Sequence, residues 1–526
     1  MPIPDTLVII HYHLLPGGVC SAIKNSVFAL SRSGWFAHRT LRVLTGRTDG
    51  VAEFAEYLNR MGIQVEVEVD ARLDYSNRVW SEKDDFWDDA SALATWLLQQ
   101  GGETSLFWTH NPTLGKNGLL TAGLMLAGQQ AEAASSQHRF LYHIHDFAEC
   151  GRLWNLMNLR GCWGSGGLED FYPVANNVGY AVLNSADSLR LAQAGIPKDR
   201  IFHLPNAVAS IRAQKKKSKD SIAVELQRYA HNRGYRFEPE RQWWTLPIRL
   251  IRRKNVVEAL LLAATTDDPP QLLVTLDANS EPERPYAEAV KDLFRRHNHA
   301  AVVGFGHELV GSVFSFDDLL LASDVVVTTS LLEGFGFTFL EGANRGIPLV
   351  GRNLNELTSD FAAAGFPGDS LYEQFLVPVD RETREEMITR GRQFAQKQGQ
   401  LLGLNNSTIE RFGDEVEVIF SDDAVDFGFL ELNQQLGLID LLRENAFVQE
   451  LRSLNPAAAE PAIFPHDFNE RVEEQFGLQA HATKVAAAIE GLFGQTFEEA
   501  NTEKISKKLL DLYFLPKFHR PLIGGW

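Results

Sequence analysis

The chain has 526 residues, 44% of them hydrophobic and 22% charged, with a formal net charge of -18. That length is more than one hydrophobic core fills and sets an expectation of roughly two to four packed units, and the composition excludes a disordered or fibrous chain. The negative balance excludes a broad nucleic-acid surface, which needs clustered Lys and Arg.

In chain order, Met1-Pro2-Ile3-Pro4-Asp5 leads into a buried strand over Thr6 to His13 without the basic flank and apolar core of a signal peptide. Leu14-Leu15-Pro16-Gly17-Gly18-Val19 then turns into a helical period over Cys20 to Ser31, the opening of a Rossmann-like unit. Short apolar runs follow at Leu41 to Leu44, Ser105 to Trp108, Arg139 to Ile144, Gly179 to Leu183 and Ile201 to Leu204, spaced by helix-length segments. Alternation of this kind predicts a parallel sheet covered by helices on both faces. The polar stretch 209–241 breaks the pattern and reads as a linker or insertion; its basic run, Lys215-Lys216-Lys217-Ser218-Lys219, reads as a solvated loop. A second series predicts strands over Thr245 to Ile251, Leu272 to Leu276, Ala300 to Val303, Asp324 to Thr329, Ile347 to Val350 and Phe375 to Val377. Beyond about Arg381 the chain is expected to be mostly helical. The division is therefore 1–208, 209–241, 242–415 and a helical extension over 416–526. No stretch is long enough to span a bilayer. Cys20, Cys150 and Cys162 give neither a disulfide framework nor a zinc-ligand spacing, so a reducing cytoplasm is the expected compartment.

The chemistry concentrates after the strand that begins at Asp324. Ser330-Leu-Leu-Glu333-Gly334-Phe335-Gly336-Phe337-Thr338-Phe339-Leu340-Glu341 reads as a glycine-containing turn and a helix starting near Thr338, whose first backbone N–H groups favour anionic or polar ligands. Glu333 belongs to the turn and Glu341, eight residues on, to the helix, so both can face one pocket. A plain first-turn carboxylate and a plain glycine turn are the alternatives. Upstream, Arg249-Leu-Ile-Arg252-Arg253-Lys254-Asn255 runs from strand end to helix start, with Arg249 and Lys254 five residues apart. Arg252 and Arg253 compete with Arg249 for any anion, and a solvated basic loop is the alternative.

These two strings, with Gly346-Ile347-Pro348 behind them, resemble the donor-site signature of glycosyltransferase family four, retaining enzymes of the GT-B fold such as glycogen synthase and sucrose synthase. The resemblance implies an α/β chain of two Rossmann-like doubly wound domains facing across a cleft. The acceptor-side domain would be 1–208, the donor-binding domain 242–415, and the helical extension can cross back to the first domain. It implies that Glu333 contacts the donor hexose, that Gly334, Phe335, Gly336, Phe337 and Thr338 present amides to the sugar and phosphates, and that Glu341 holds the ribose hydroxyls. Arg249 and Lys254 would clamp the diphosphate, where two permanent cations meet the negative charge that builds on the leaving group. Gly17 and Gly18 resemble the family's glycine pair, which admits a diphosphate close to the backbone. Tyr142-His143-Ile144-His145-Asp146 resembles its His-Asp element, with His145 favoured as the residue that reaches the donor sugar. Leu204-Pro205-Asn206-Ala207-Val208 resembles the close of the first domain. Pro247-Ile248 stands where the family has glycine, and Leu276-Asp277-Ala278-Asn279 where it has a Gly-rich turn.

The implied activity is metal-independent transfer of a hexose, with retention, from a nucleotide diphosphate sugar to the hydroxyl of a soluble acceptor. No cofactor beyond that donor substrate, no nucleic acid and no membrane partner are implied. A nucleotide-sugar epimerase or hydrolase on the same architecture, and a non-catalytic nucleotide-sugar sensor, are the alternatives. His11-x-His13 and His143-x-His145 each put two imidazoles on one strand face, a metal-ligand spacing, but no acidic or cysteine partner has a place beside them. Asp84-Asp85-Phe86-Trp87-Asp88-Asp89 reads as a helix N-terminus rather than a metal motif, and Gly304-Phe305-Gly306 is too short for dinucleotide binding.

Overall fold

The computed structural model describes residues 4–208, 217–278, 281–494 and 504–520. The chain divides into two compact units. The first holds Met1–Ala209 and Val472–Phe514, the second Ser210–Arg471 and Leu515–Trp526.

The first unit is built on seven strands: β1 (Thr6–His11), β2 (Thr40–Thr45), β3 (Glu66–Val69), β4 (Ser105–His110), β5 (Arg139–Ile144), β6 (Val178–Val182) and β7 (Ile201–His203). All pair in parallel, in the order β3-β2-β1-β4-β5-β6-β7. The central strands are buried along nearly their whole length and mostly apolar, because helices cover both faces; Leu7, Val8, Ile9 and Ile10 are fully buried. β1 stops at His11, two residues short of the expected end, and β3 is a strand that the apolar runs do not show. The helix Gly18–Arg32 follows β1, and Leu478–Gly494 packs against it. Val485, Ile489, Leu492 and Phe493 of that late helix share a core cluster with Leu7, Ile23 and Val27, so the C-terminal part of the chain completes the first core.

The second unit carries β8 (Trp243–Arg249), β9 (Gln271–Leu276), β10 (Ala301–Val303), β11 (Val325–Thr328) and β12 (Leu349–Gly351), parallel in the order β10-β9-β8-β11-β12. Within β8 the register slips between Leu246 and Arg249, where Pro247 has no N–H to give the ladder. The run Phe375 to Val377 departs from expectation. Its strand β13 (Leu376–Pro378) joins β15 (Ala424–Asp426) and β14 (Phe420–Ser421) in a separate antiparallel sheet. The stretch 209–241 also contains more than a linker: Ser218 caps a helix over Lys219–Arg233, its Oγ accepting the Ser221 N–H at 3.2 Å. Lys215 and Lys216 of the basic run lie outside the described residues, as does Asn279. Both doubly wound sheets match the expected α/β class, and the chain after Arg381 is mostly helical. No helix among the described residues is long and apolar enough to cross a membrane.

Candidate functional site

In an open parallel sheet the strand order reverses at one place, and the loops leaving the carboxyl ends of the two strands there diverge and leave a crevice. The orders above put that place between β8 and β11 in the second unit and between β1 and β4 in the first. The motif residues fall on these loops.

In the second unit, β8 ends on the half-buried Arg249 and passes through a 3-10 turn, Arg252–Lys254, into the helix Val256–Ala264. Asn255, at φ 51°, makes the left-handed step between them. The turn is fastened to the strand end opposite: Leu331 N–H donates to Arg253 O at 2.8 Å and Thr329 Oγ1 to Lys254 O at 2.9 Å. That fastening brings Lys254 Nζ onto Glu333 Oε1. Arg253 Nη1 lies 2.8 Å from Leu332 O and 3.3 Å from Glu333 Oε2. Burial alone would raise the Glu333 carboxyl, but the charges of Lys254 and Arg253 outweigh it and hold the group down at about 2. Arg252 does something else: its guanidinium is buried, donates to Leu430 O at 2.7 Å and sits 5.8 Å from the Tyr286 ring, so it belongs to the core rather than the crevice.

The turn after Glu333 depends on Gly336, whose φ of 83° is left-handed; a Cβ there would lie 2.6 Å from Phe339 Cδ2 and 2.7 Å from Leu357 Cδ2. The expected helix begins one residue early, at Phe337, and ends at Glu341. Five residues make little macrodipole, so any affinity of this terminus for anions rests on its individual N–H groups. Glu341 makes no side-chain hydrogen bond among the described residues. Burial pushes its carboxyl up to about 7, against the opposing charges of Arg345 and Lys254. Arg345 donates to Glu341 O at 2.6 Å and pairs with Asp317 at 2.6 Å, which fixes the backbone and leaves the carboxyl unpaired. Glu333 and Glu341 are thus brought to one cationic turn, Lys254 acting electrostatically on both.

In the first unit, Gly17 precedes the helix that starts at Gly18, and a Cβ at Gly18 would meet no protein atom within 4 Å, so internal packing does not require glycine there. The strand ends beside it are rich in imidazole. His11 closes β1, His110 closes β4, and His143 and His145 lie at the end of β5. His145 is buried and its backbone is fixed by Asn111, whose Oδ1 accepts the N–H groups of His145 and Asp146 at 2.7 and 3.1 Å. Asp146 itself pairs with Arg152 at 2.6 Å. The His145 Nε2 faces His110 Nδ1 at 2.9 Å. Burial drives both rings neutral, His145 down to about 3, with neighbouring imidazoles adding to the effect. Nitrogens of His110, His143 and His145 all lie within 4.8 Å of one another. His143, however, has both of its own engaged: Trp108 Nε1–H donates to Nδ1 at 3.2 Å and Nε2 faces Leu204 O at 3.2 Å. Its one lone pair, on Nδ1, is therefore open to a metal only if the buried Trp108 hydrogen bond is given up. Arg253, in sequence only a competitor of Arg249 for an anion, is placed against Glu333, whereas the sequence does not single out His110 and Asn111; His110 could have been found as a polar residue closing a mostly apolar strand.

The acidic run Asp84 to Asp89 opens the helix Lys83–Gln99, as expected, and Asp89 accepts the Trp80 indole N–H at 2.7 Å.

No family model matches the chain. It is 26% identical over 528 aligned residues to mannosylglucosyl-3-phosphoglycerate synthase from Petrotoga mobilis (strain DSM 10674 / SJ95), covering 98% of this chain and 97% of that one. Among solved structures it is similar to a glycosyltransferase from Rickettsia africae ESF-5, at TM-score 0.49 and 12% identity over 94% of this chain and 99% of that one. It is also similar to Anabaena Alr3699/HepE in complex with UDP-glucose, at TM-score 0.49 and 12% identity over 92% and 99%. The likeness to the Petrotoga synthase thus runs through nearly the whole of both chains.

Proposed function

We propose that this chain is a glycosyltransferase that moves a hexosyl group from a nucleotide diphosphate sugar to a hydroxyl of a small anionic acceptor, with retention and without a metal ion. The observation that carries the reading is the cluster at the β8/β11 switch point, where Lys254 and Arg253 flank Glu333 and a second, unpaired carboxyl, Glu341, stands on the following helix. Arg249 and Lys254 take the diphosphate, Glu333 the hexose hydroxyls and Glu341 the ribose. As the bond from the anomeric carbon to the phosphate oxygen breaks, its electron pair passes to the diphosphate, whose negative charge the two cations stabilise more in the transition state than in the ground state. The acceptor oxygen forms its bond to the anomeric carbon on the same face, and its proton goes to the departing phosphate oxygen. Within the first unit, His145 and the amides after Gly17 and Gly18 are the groups suited to contact a substrate.

The name of the Petrotoga relative supports an acceptor that carries a glycerate phosphate, so glycosylated phosphoglycerates head the acceptor panel. The test is a product analysis. Proton NMR of the glycoside formed should give the donor's own anomeric configuration, and the rate should be unchanged in excess EDTA. An inverted product would overturn retention, and activity lost to EDTA and restored by manganese would overturn metal independence.

A further inference from the structure

We propose that His110 is a positioning residue: its hydrogen bond holds the His145 imidazole in the tautomer that carries its proton on Nδ1. The proposal rests on the reading that the strand ends of the first unit receive a substrate, and it concerns a residue outside the motifs that suggested that reading. His110 Nδ1 and His145 Nε2 are 2.9 Å apart, and the two rings are 1% and 6% exposed. One proton lies between these nitrogens, which leaves two neutral arrangements.

If His145 donates, His110 must carry its own proton on Nε2. That atom is buried and has no partner. A buried N–H left without an acceptor is rarer than an under-used lone pair, because the donor forfeits its hydration with nothing in return. If His110 donates instead, only a lone pair remains at its Nε2, and the His145 proton moves to Nδ1. The second arrangement is the favoured one. In it, Nδ1 of His145 is a hydrogen-bond donor with no protein acceptor among the described residues, suited to a substrate hydroxyl or ring oxygen.

The surroundings keep the pair neutral, so the tautomer and not the charge is what the protein sets. The groups that act on it are His11 on β1, His143 on β5 and His481 on the helix Leu478–Gly494, with no carboxylate among them. Trp108 stacks on the His110 ring at 5.3 Å and 25°, which fixes the ring plane. His143 cannot take over the role, since both of its nitrogens are committed.

The experiment uses the full chain labelled with nitrogen-15 at histidine, and the variants His110→Asn, His110→Gln and His110→Ala. An Asn amide reaches the place of Nδ1, whereas a Gln amide reaches that of Nε2. In the wild type, long-range proton–nitrogen correlation at neutral pH should place the His145 proton on Nδ1, with the signal assigned by its loss in His145→Asn. His110→Ala and His110→Gln should mix the tautomers and lower kcat about 10- to 100-fold with donor KM nearly unchanged, the range seen when a supporting hydrogen bond is lost. His110→Asn should restore the Nδ1 tautomer and return kcat to within about threefold of wild type. A wild-type His145 proton on Nε2 overturns the proposal, as does equal activity of the Asn and Gln variants, which would mean that the residue merely fills space. The tautomer readout needs no substrate, so it decides this proposal even if no transfer is found; if the Ala variant does not fold, the Asn and Gln pair decides it.

Discussion

Glu333 and Glu341 sit eight residues apart beside one lysine, yet their environments drive them to opposite protonation behaviour. Glu333, flanked by two cations, is held down at about 2 and is ionised at neutral pH. Glu341, half-buried and with no ion pair among the described residues, is pushed by desolvation up to about 7. If the Glu341 carboxylate accepts the ribose hydroxyls, free nucleoside diphosphate should bind roughly tenfold more tightly at pH 8 than at pH 6, the change in ionised fraction across a group centred at about 7. Glu341→Gln isolates that contribution from the titration of the nucleotide itself, and it should flatten this part of the profile. Glu341→Ala should weaken free nucleotide and whole donor about equally, by roughly 1–3 kcal/mol. Glu333→Gln should leave free nucleotide binding as tight or tighter, because it releases Lys254 and Arg253, while donor discrimination falls. Calorimetry of nucleotide and donor on the same preparations measures all of these, and equal losses for the two positions would end the division of roles.

At the scale of elements, the turn between the two glutamates is the part least free to change. Gly336→Ala would place a methyl group within 2.7 Å of both Phe339 and Leu357 in a left-handed conformation, so a loss of at least about 1–2 kcal/mol is expected from the conformation alone. Urea unfolding should show it, together with weaker donor binding; unchanged stability would mean that the turn is not held as described. This turn was legible in sequence because Glu-Gly-Phe-Gly after an apolar strand is a local signal. So were most strands of the two parallel sheets, whose double burial makes them continuous apolar runs. What escaped was non-local or alternating. β3 interleaves glutamate with valine at a sheet edge. The run Phe375 to Val377 reads as one more parallel strand, because nothing in it names β15 as the antiparallel partner of β13. His110 is an ordinary histidine until β4 and β5 pair and bring it to His145. Of the three arginines in the basic turn, only tertiary packing separates the buried Arg252 from Arg249 and Arg253.

On the scale of the whole molecule, the first unit is assembled from both halves of the chain. His481, on the helix Leu478–Gly494, joins Ser26 Oγ at 2.8 Å and Pro205 O at 2.9 Å, tying the late segment to the first helix and to the end of the first Rossmann stretch. Burial lowers His481 from 6.5 to about 4, so the folded protein keeps it neutral where the unfolded chain would protonate it. Its contribution is complete above pH 6.5 and is lost as pH falls toward 4. The destabilisation caused by His481→Asn should therefore shrink by about 1.4 kcal/mol per pH unit across that window; a penalty independent of pH would show that the ring is not held neutral.

Both sheets place their candidate site residues at a strand-order reversal, and the central claim is the proposal that the cationic turn of the second unit expels a nucleoside diphosphate during sugar transfer. The most direct measurement is acceptor-dependent release of nucleoside diphosphate from a panel of nucleotide sugars, with glycosylated phosphoglycerates among the acceptors, by the wild type, Arg249→Ala and Lys254→Ala. The account predicts release that requires acceptor, with kcat falling about 100-fold or more in each variant while donor affinity changes far less. Wild-type turnover in Lys254→Ala, or tight donor binding with no transfer to any acceptor in the wild type, would contradict it.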